Sequence, residues 1–325
     1  MLDEGNLART GRAMNKEVAG EFDDLTIVIP AFNEAEGIQV TLERLLAQVQ
    51  GAEVIVVDDQ SQDQTSAVAS KFSCVRVVRH AFNQGQGAAL KTGMRLATRP
   101  YVAWFDADNE HRSEDLVRLV RRAKSEMLVA VIGQRTSGSA SLTRAVGKFI
   151  IRLLGRGLKI RAGSDLNCGL RVFRLAEIRR YLPLIPDRFS ASLVSTLVVL
   201  ERRYPIAFEP IETNARVGHS TVRLRDGFEA ILQLLRAILL FAPMRFFLPI
   251  GLWSFAIGFV YSMLISFSLG LGLPIAGLFL MMAGILVTML GLIADQVSQL
   301  RLTLLSENPM PREAANSESN DARRP

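Results

Sequence analysis

Cysteine is nearly absent. Cys74 and Cys168 are the only two in 325 residues. They lie far apart and in no metal-spaced pair, so neither a disulfide framework nor a cysteine zinc site is expected, and both read as structural thiols. The opening stretch MLDEGNLARTGRAMNKEVAG lacks the apolar core of a secretory leader. Charge is missing over a long interval: from Phe246 to Ala294 there is no Asp, Glu, Lys or Arg. A membrane-crossing helix takes roughly 20 apolar residues, so this interval holds two, with Gly270-Leu-Gly-Leu-Pro274 as the turn between them. No basic strand interleaved with aromatics occurs, so the net charge of +6 does not point to nucleic acid. Arg223, Arg225, Arg236 and Arg245 crowd just before the first span, where an anionic lipid surface suits them. Cationic flanks and a short uncharged turn predict both ends of the hairpin on the cytoplasmic side.

Between residue 24 and the spans, short apolar runs alternate with helical patterns. The runs are Leu25–Ile29, Val54–Val57, Val75–Val78, Tyr101–Phe105 and Met127–Ile132. Intervening segments such as Ile38–Val49 and Ser113–Lys124 carry apolar residues at helical spacing. Near-continuous apolar strands predict a mostly parallel sheet covered on both faces, an α/β doubly wound layout. Ligands in such sheets bind beyond the carboxyl ends of the strands. The expected organisation is a flexible lead over 1–23, an α/β domain over 24–225, an amphipathic juxtamembrane helix over 226–245, two spans over 246–295 and a largely disordered tail over 296–325. The amphipathic segment either lies in the headgroup layer or packs on the α/β domain.

The chemistry-bearing residues collect after the strands. In VAWFDADNEH a buried run ends in Asp106, Asp108 and Glu110. Carboxylates two apart on an extended chain point the same way, and their repulsion calls for something positive between them. Hard oxygens of this kind suit Mg2+ or Mn2+, and a solvated acidic loop is the bland alternative. Asp58 and Asp59 end the second strand, where a carboxylate can accept bonds from ribose or a base N–H. Glu34 can do the same or cap the helix that follows, and Asp63 closes a turn. NQGQGAALKTG is neither a phosphate-binding Walker loop nor a dinucleotide fingerprint. It reads as a tight turn at Gly85 with a helix N-terminus near phosphate and Lys91 one helical turn on, or as a plain loop-to-helix junction. Arg135, Arg171 and Arg216 are candidate phosphate cations, each with a solvated-surface alternative. His219 reads as structural or exposed.

Five segments in order carry a resemblance: LTIVIPAFNE (25–34), VIVVDDQSQDQT (54–65), NQGQGAALKTG (83–93), DADNEH (106–111) and DLNCGLR (165–171). Their order and spacing resemble family-2 glycosyltransferases of the GT-A fold, and among them the polyprenyl-phosphate enzymes, including dolichyl-phosphate mannose synthases and undecaprenyl-phosphate glucosyltransferases. The resemblance covers about 24–245 by motif and the two spans by architecture. It implies an inverting, metal-dependent transferase at the inner membrane. Such an enzyme moves a hexose from a UDP- or GDP-linked donor to a polyprenyl phosphate on the cytoplasmic face. It also implies that Asp106 and Asp108, with Ala107 between them, stand for the Asp-x-Asp motif. Glu110 takes the place of a frequent Gln as a third ligand, its extra charge either tightening the cation or repelling the diphosphate. Pro30, Ala31 and Asp59 would flank the base, Arg135 would meet the acceptor, and Asp165 would sit beside the reacting centre as a base or as an orienting group. A Ser-Lys pair common near 219–220 is missing, and Arg223 or Arg225 could replace the lysine. A thin two-helix anchor makes a homo-oligomer an expectation. Two other readings remain. A family-2 enzyme acting on a sugar hydroxyl is one, although no Gln-x-x-Arg-Trp string occurs. A non-catalytic nucleotide-binding membrane adaptor is the other.

Overall fold

The structure, a computed structural model, describes residues 20–135, 165–188, 190–214, 239, 243–270 and 272–307. Arg216, His219, Arg223, Arg225, Arg236 and almost all of the amphipathic segment lie outside the described residues.

Strand β1 (Leu25–Ala31) is buried along its whole length. Side chains alternate across a strand, so such a strand must be covered on both faces. On one face Leu25, Ile27 and Ile29 join Ile38, Leu42 and Leu45 of helix α1 (Ala35–Gln48) and Leu116, Leu119 and Val120 of α4 (Ser113–Ser125). On the other, Val28 meets Leu90 and Met94 of α3 (Gln86–Leu96). Helix α4 fits its place twice over. Its apolar residues recur at helical spacing, and Glu114 and Asp115 open it while Arg122 and Lys124 close it, in line with the helix dipole.

Strands β2 (Glu53–Asp58), β3 (Val75–Arg79), β4 (Tyr101–Trp104) and β5 (Ala130–Arg135) match the predicted runs, with β5 shifted a few residues onward. Two strands were not expected, β6 (Arg171–Arg174) and β7 (Ile206–Ile211). The seven-stranded sheet has the order β3-β2-β1-β4-β6-β5-β7. It is mixed, because β6 runs antiparallel to both β4 and β5 while the other pairs are parallel. The order turns back at β1, whose neighbours are β2 and β4, and such a switch opens a crevice beyond the strands' carboxyl ends. Helices α2 (Thr65–Ala69), α5 (Leu175–Arg179) and α6 (Ala191–Glu201) are the further α-helices of this domain among the described residues. Residues 20–23, expected in the lead, form a turn that puts Phe22 in the core beside α4, so the packed domain begins earlier.

Helices α7 (Pro243–Leu269) and α8 (Ile275–Glu307) form a hairpin about the turn at Gly270. Both are long and apolar enough to cross a membrane. Glycines at seven-residue spacing face each other. A Cβ on Gly284 would lie 2.5 Å from Gly251 O, and one on Gly258 2.8 Å from Gly277 O. Small residues let apolar helices approach backbone to backbone. The outer faces keep Trp253, Phe267 and Ile275 exposed. Residues 296–307, assigned to the tail from sequence, continue α8 instead. No glycine or proline interrupts them, and Val297, Leu300 and Leu304 hold the apolar spacing.

Candidate active site

A cleft of about 460 Å³ opens at the switch point, lined by Pro30, Ala31, Glu34, Asp59, Gly85, Asp106, Ala107, Asp108 and Glu110 from the expected set. Phe32, Asn83, Gln86, Ala89 and Arg188 also line it, and none of these was singled out from sequence.

Asp106 is held at both oxygens. Gln86 Nε2 donates to Oδ1 at 3.1 Å, and His111 Nε2 lies 3.0 Å from Oδ2. Burial alone would raise the Asp106 carboxyl's pKa, but the bond from His111 and its charge, with Arg171 and Arg135 further off, hold it below its ordinary value. Burial would likewise lower His111, and the Asp106 carboxylate, with Glu110 and Asp108 near, raises it instead. Gly169 makes room for the pair. A Cβ there would lie 2.9 Å from Asp106 Cγ and 3.0 Å from His111 Nε2. His111 was passed over in the sequence, although it closes the same acidic motif. Asp108 is buried, and its Oδ1 accepts the Glu110 N–H at 3.1 Å.

Glu110 also faces a cation. Its Oε1 stands 3.5 Å from Arg135 Nη1. Arg135 in turn grips Asp165 through Nε at 2.6 Å and Nη2 at 3.4 Å, and the Asn167 N–H adds a bond to Asp165 Oδ1 at 3.1 Å. Burial would lower the Arg135 pKa, and the Asp165 carboxylate raises it instead, so the guanidinium stays charged. Asp165 thus accepts two bonds from one arginine. Among the described residues no three His, Cys, Asp or Glu side chains cluster to hold a metal. The three expected ligands Asp106, Asp108 and Glu110 all line the cleft, and Glu110 faces Arg135 as well.

Several expected contacts have other employment. Arg171 is fully buried rather than facing phosphate. It donates to Cys168 O at 3.1 Å, Ser192 O at 2.6 Å and Ser195 Oγ at 2.8 Å, and it stacks over Trp104. Burial pushes its pKa down to about 10, which leaves it charged at neutral pH. Burial also pushes the Cys168 thiol up to about 12, in keeping with a structural cysteine. Asp58 does not line the cleft. It accepts the Ser61 N–H at 2.9 Å and pairs with Arg79 at 3.3 Å. Asp59 reaches the cleft but also organises it, accepting from Gln84 N at 2.9 Å and Gly85 N at 2.7 Å beside His80 Nδ1 at 2.7 Å.

Lys91 points to Ile185 O at 3.0 Å and pairs with Asp187, so it fastens the segment 185–188 instead of reaching phosphate. The backbone that Gly85 admits belongs to the same segment. With φ at 104°, any Cβ there would come within 2.8 Å of Arg188 Cα. The Ala88 N–H, at the start of α3, is taken by Asp187 O at 2.8 Å. Glu34 makes no side-chain capping bond to α1. Asp63 closes its turn as expected, accepting Thr65 N at 3.0 Å and Ala35 N at 3.1 Å.

Residues 26–182 match the family described as glycosyl transferase family 2, and 242–300 match the GtrB C-terminal hairpin. An uncharacterized protein of Methanocaldococcus jannaschii is 30% identical over 202 residues, 59% of this chain and 82% of that one. Dodecaprenyl-phosphate galacturonate synthase of Rhizobium johnstonii is 27% identical over 264 residues, 75% of this chain and 76% of that one. Glucosyl-3-phosphoglycerate synthase from Mycobacterium tuberculosis, crystallised with Mn2+, UDP and phosphoglyceric acid, superposes with a TM-score of 0.56 at 21% identity, over 66% of this chain and 77% of that one. At that identity the shared property is the fold.

Proposed function

Since the chain belongs to glycosyl transferase family 2 and ends in a GtrB-type hairpin, we propose that it transfers a hexose from a nucleoside-diphosphate sugar to a polyprenyl phosphate, with inversion, at the cytoplasmic face of the inner membrane. The two apolar helices support a bilayer anchor. A relative acting on dodecaprenyl phosphate over three quarters of this chain supports the acceptor class.

The observation that carries the acceptor is the Arg135–Asp165 pair, which does not line the cleft itself but adjoins it through Glu110, 3.5 Å from Arg135 Nη1. A sugar hydroxyl needs a general base, usually a free carboxylate. A lipid phosphate is already ionised at neutral pH and needs a cation to hold it. Here the carboxylate is committed to the arginine, which favours the phosphate over the hydroxyl. Arg135 would meet the acceptor through its planar fork once Glu110 yields. Arg216 would assist as a second phosphate cation.

Asp106 and Asp108 fit a divalent cation, being hard oxygen donors on the cleft wall, one of them fixed at both oxygens. Bound there against the diphosphate, Mg2+ or Mn2+ would offset charge developing on the leaving oxygen. Gln86 and His111 keep Asp106 aimed into the cleft. Pro30, Ala31, Phe32 and Asp59 form the end that receives the nucleoside.

The test is transfer from a panel of labelled UDP- and GDP-sugars in membranes holding the full chain. Label should enter chloroform-soluble, mild-acid-labile lipid, vanish with EDTA, return with Mn2+ or Mg2+, and be lost in Asp106→Asn. Label found only in water-soluble polymer would defeat the lipid acceptor.

A further inference from the structure

Five carboxylates line the cleft, those of Glu34, Asp59, Asp106, Asp108 and Glu110, against one cation, Arg188. A nucleotide sugar brings further negative charge into that space. Asp106 has His111 beside it and Glu110 has Arg135, which is itself already engaged by Asp165, so little positive charge is left over for an incoming diphosphate. Arg188 is exposed and makes no hydrogen bond or ion pair among the described residues.

Its backbone is anything but loose. Lys91 ties down Ile185 O and Asp187, the Ala88 N–H holds Asp187 O at 2.8 Å, and Gly85 lets the segment approach until a Cβ would sit 2.8 Å from Arg188 Cα. Gly85 itself is bonded to Asp59, and its neighbour Gln86 to Asp106. Arg188 is thus a long, unspent side chain on a rigid mount, set between the carboxylate at the nucleoside end and the one at the proposed metal end.

On the glycosyltransferase reading above, we propose that Arg188 binds an oxyanion of the donor, through the planar fork that suits phosphate and carboxylate alike. The oxyanion belongs to the diphosphate or to the carboxylate of a uronic sugar. Two long-range contacts, Lys91 to Ile185 and Gly85 to Arg188, bring this segment against the cleft that Arg188 lines.

The test is titration calorimetry on the full chain in nanodiscs with Mn2+, comparing wild type, Arg188→Gln and, as a surface control, Arg95→Gln. Probes are UDP, GDP, UDP-glucuronate, uridine and guanosine. Arg188→Gln should weaken the preferred diphosphate at least tenfold, the scale of one charge-assisted hydrogen bond, and the matching nucleoside less than twofold. Loss confined to UDP-glucuronate assigns the oxyanion to the sugar. Equal loss on diphosphate and nucleoside, or no loss on any probe, overturns the proposal. A wild-type chain that holds neither UDP nor GDP removes the function reading itself.

Discussion

Gly169→Ala adds one methyl at the point where DLNCGLR touches the acidic loop. The new Cβ would stand 2.9 Å from Asp106 Cγ and closer still to its Oδ2, where ordinary contact begins at 3.4 Å. Asp106 must therefore retreat by at least half an ångström. His111 Nε2, 3.0 Å from the same Cβ, blocks one way out. A misplacement of about 1 Å in a catalytic group can cost 10²-fold, so half that distance is expected to cost about tenfold in kcat/KM, or ~1.4 kcal/mol of barrier. The affinity for Mn2+ in the presence of nucleotide should fall in parallel, because the same carboxylate serves both. Transfer kinetics and Mn2+ titration on one preparation provide the check, with circular dichroism to establish that the fold persists. A variant with kcat/KM and Mn2+ affinity both within twofold of wild type would refute the reasoning, since it would mean that Asp106 does not need its present seat.

Arg171→Met tests the opposite assignment, a motif arginine serving the core. It strands Cys168 O, while Ser192 O and Ser195 Oγ lose one partner but keep their bond to each other, which is expected to cost on the order of 2 kcal/mol from the unpaired buried acceptor and to lower the melting temperature. Nucleotide affinity of the folded fraction should stay unchanged, and a stable variant with lost affinity would return Arg171 to the site. Asp63→Ala probes the turn between β2 and α2, which also bonds to the start of α1. Burial alone would raise Asp63's pKa, but bonds from Thr65 and Ala35 hold it below the ordinary value. A depressed carboxyl stabilises the fold above its unfolded pKa of about 3.9 and loses that contribution as pH falls through the folded value. The gap in melting temperature between Asp63→Ala and wild type should be full at pH 7 and shrink below about pH 4; a gap independent of pH would show that the charge contributes nothing.

Strands β1 to β5 were legible because buried parallel strands are written as unbroken apolar runs. Asp59, Asp106 and Asp108 stood out because each follows a buried apolar run, and all three line the cleft. The antiparallel β6 was not. Four residues with arginine at both ends, RVFR, carry no strand pattern, and strand direction is not a local property. Strand β7 contains Pro210, tolerated because it sits at the sheet edge. Arg171 misled for a simple reason: arginine is seldom fully buried, so a motif arginine looks like a ligand. Arg188 escaped notice because it acquires its place only when Lys91, 94 residues away from Ile185, closes on that segment. Asp295 ends the uncharged run and so marks the end of the span but not of the helix, which leaves the apolar layer and continues to Glu307.

The pairing of β6 against β4 puts Trp104 opposite Arg171. Gly169 therefore reaches Asp106 through a sheet register, not through the chain that connects them. Whatever sequence fills 136–164, those ladder bonds return the polypeptide to the same spot. An insertion or a wholesale exchange of that interval should leave the donor machinery aligned.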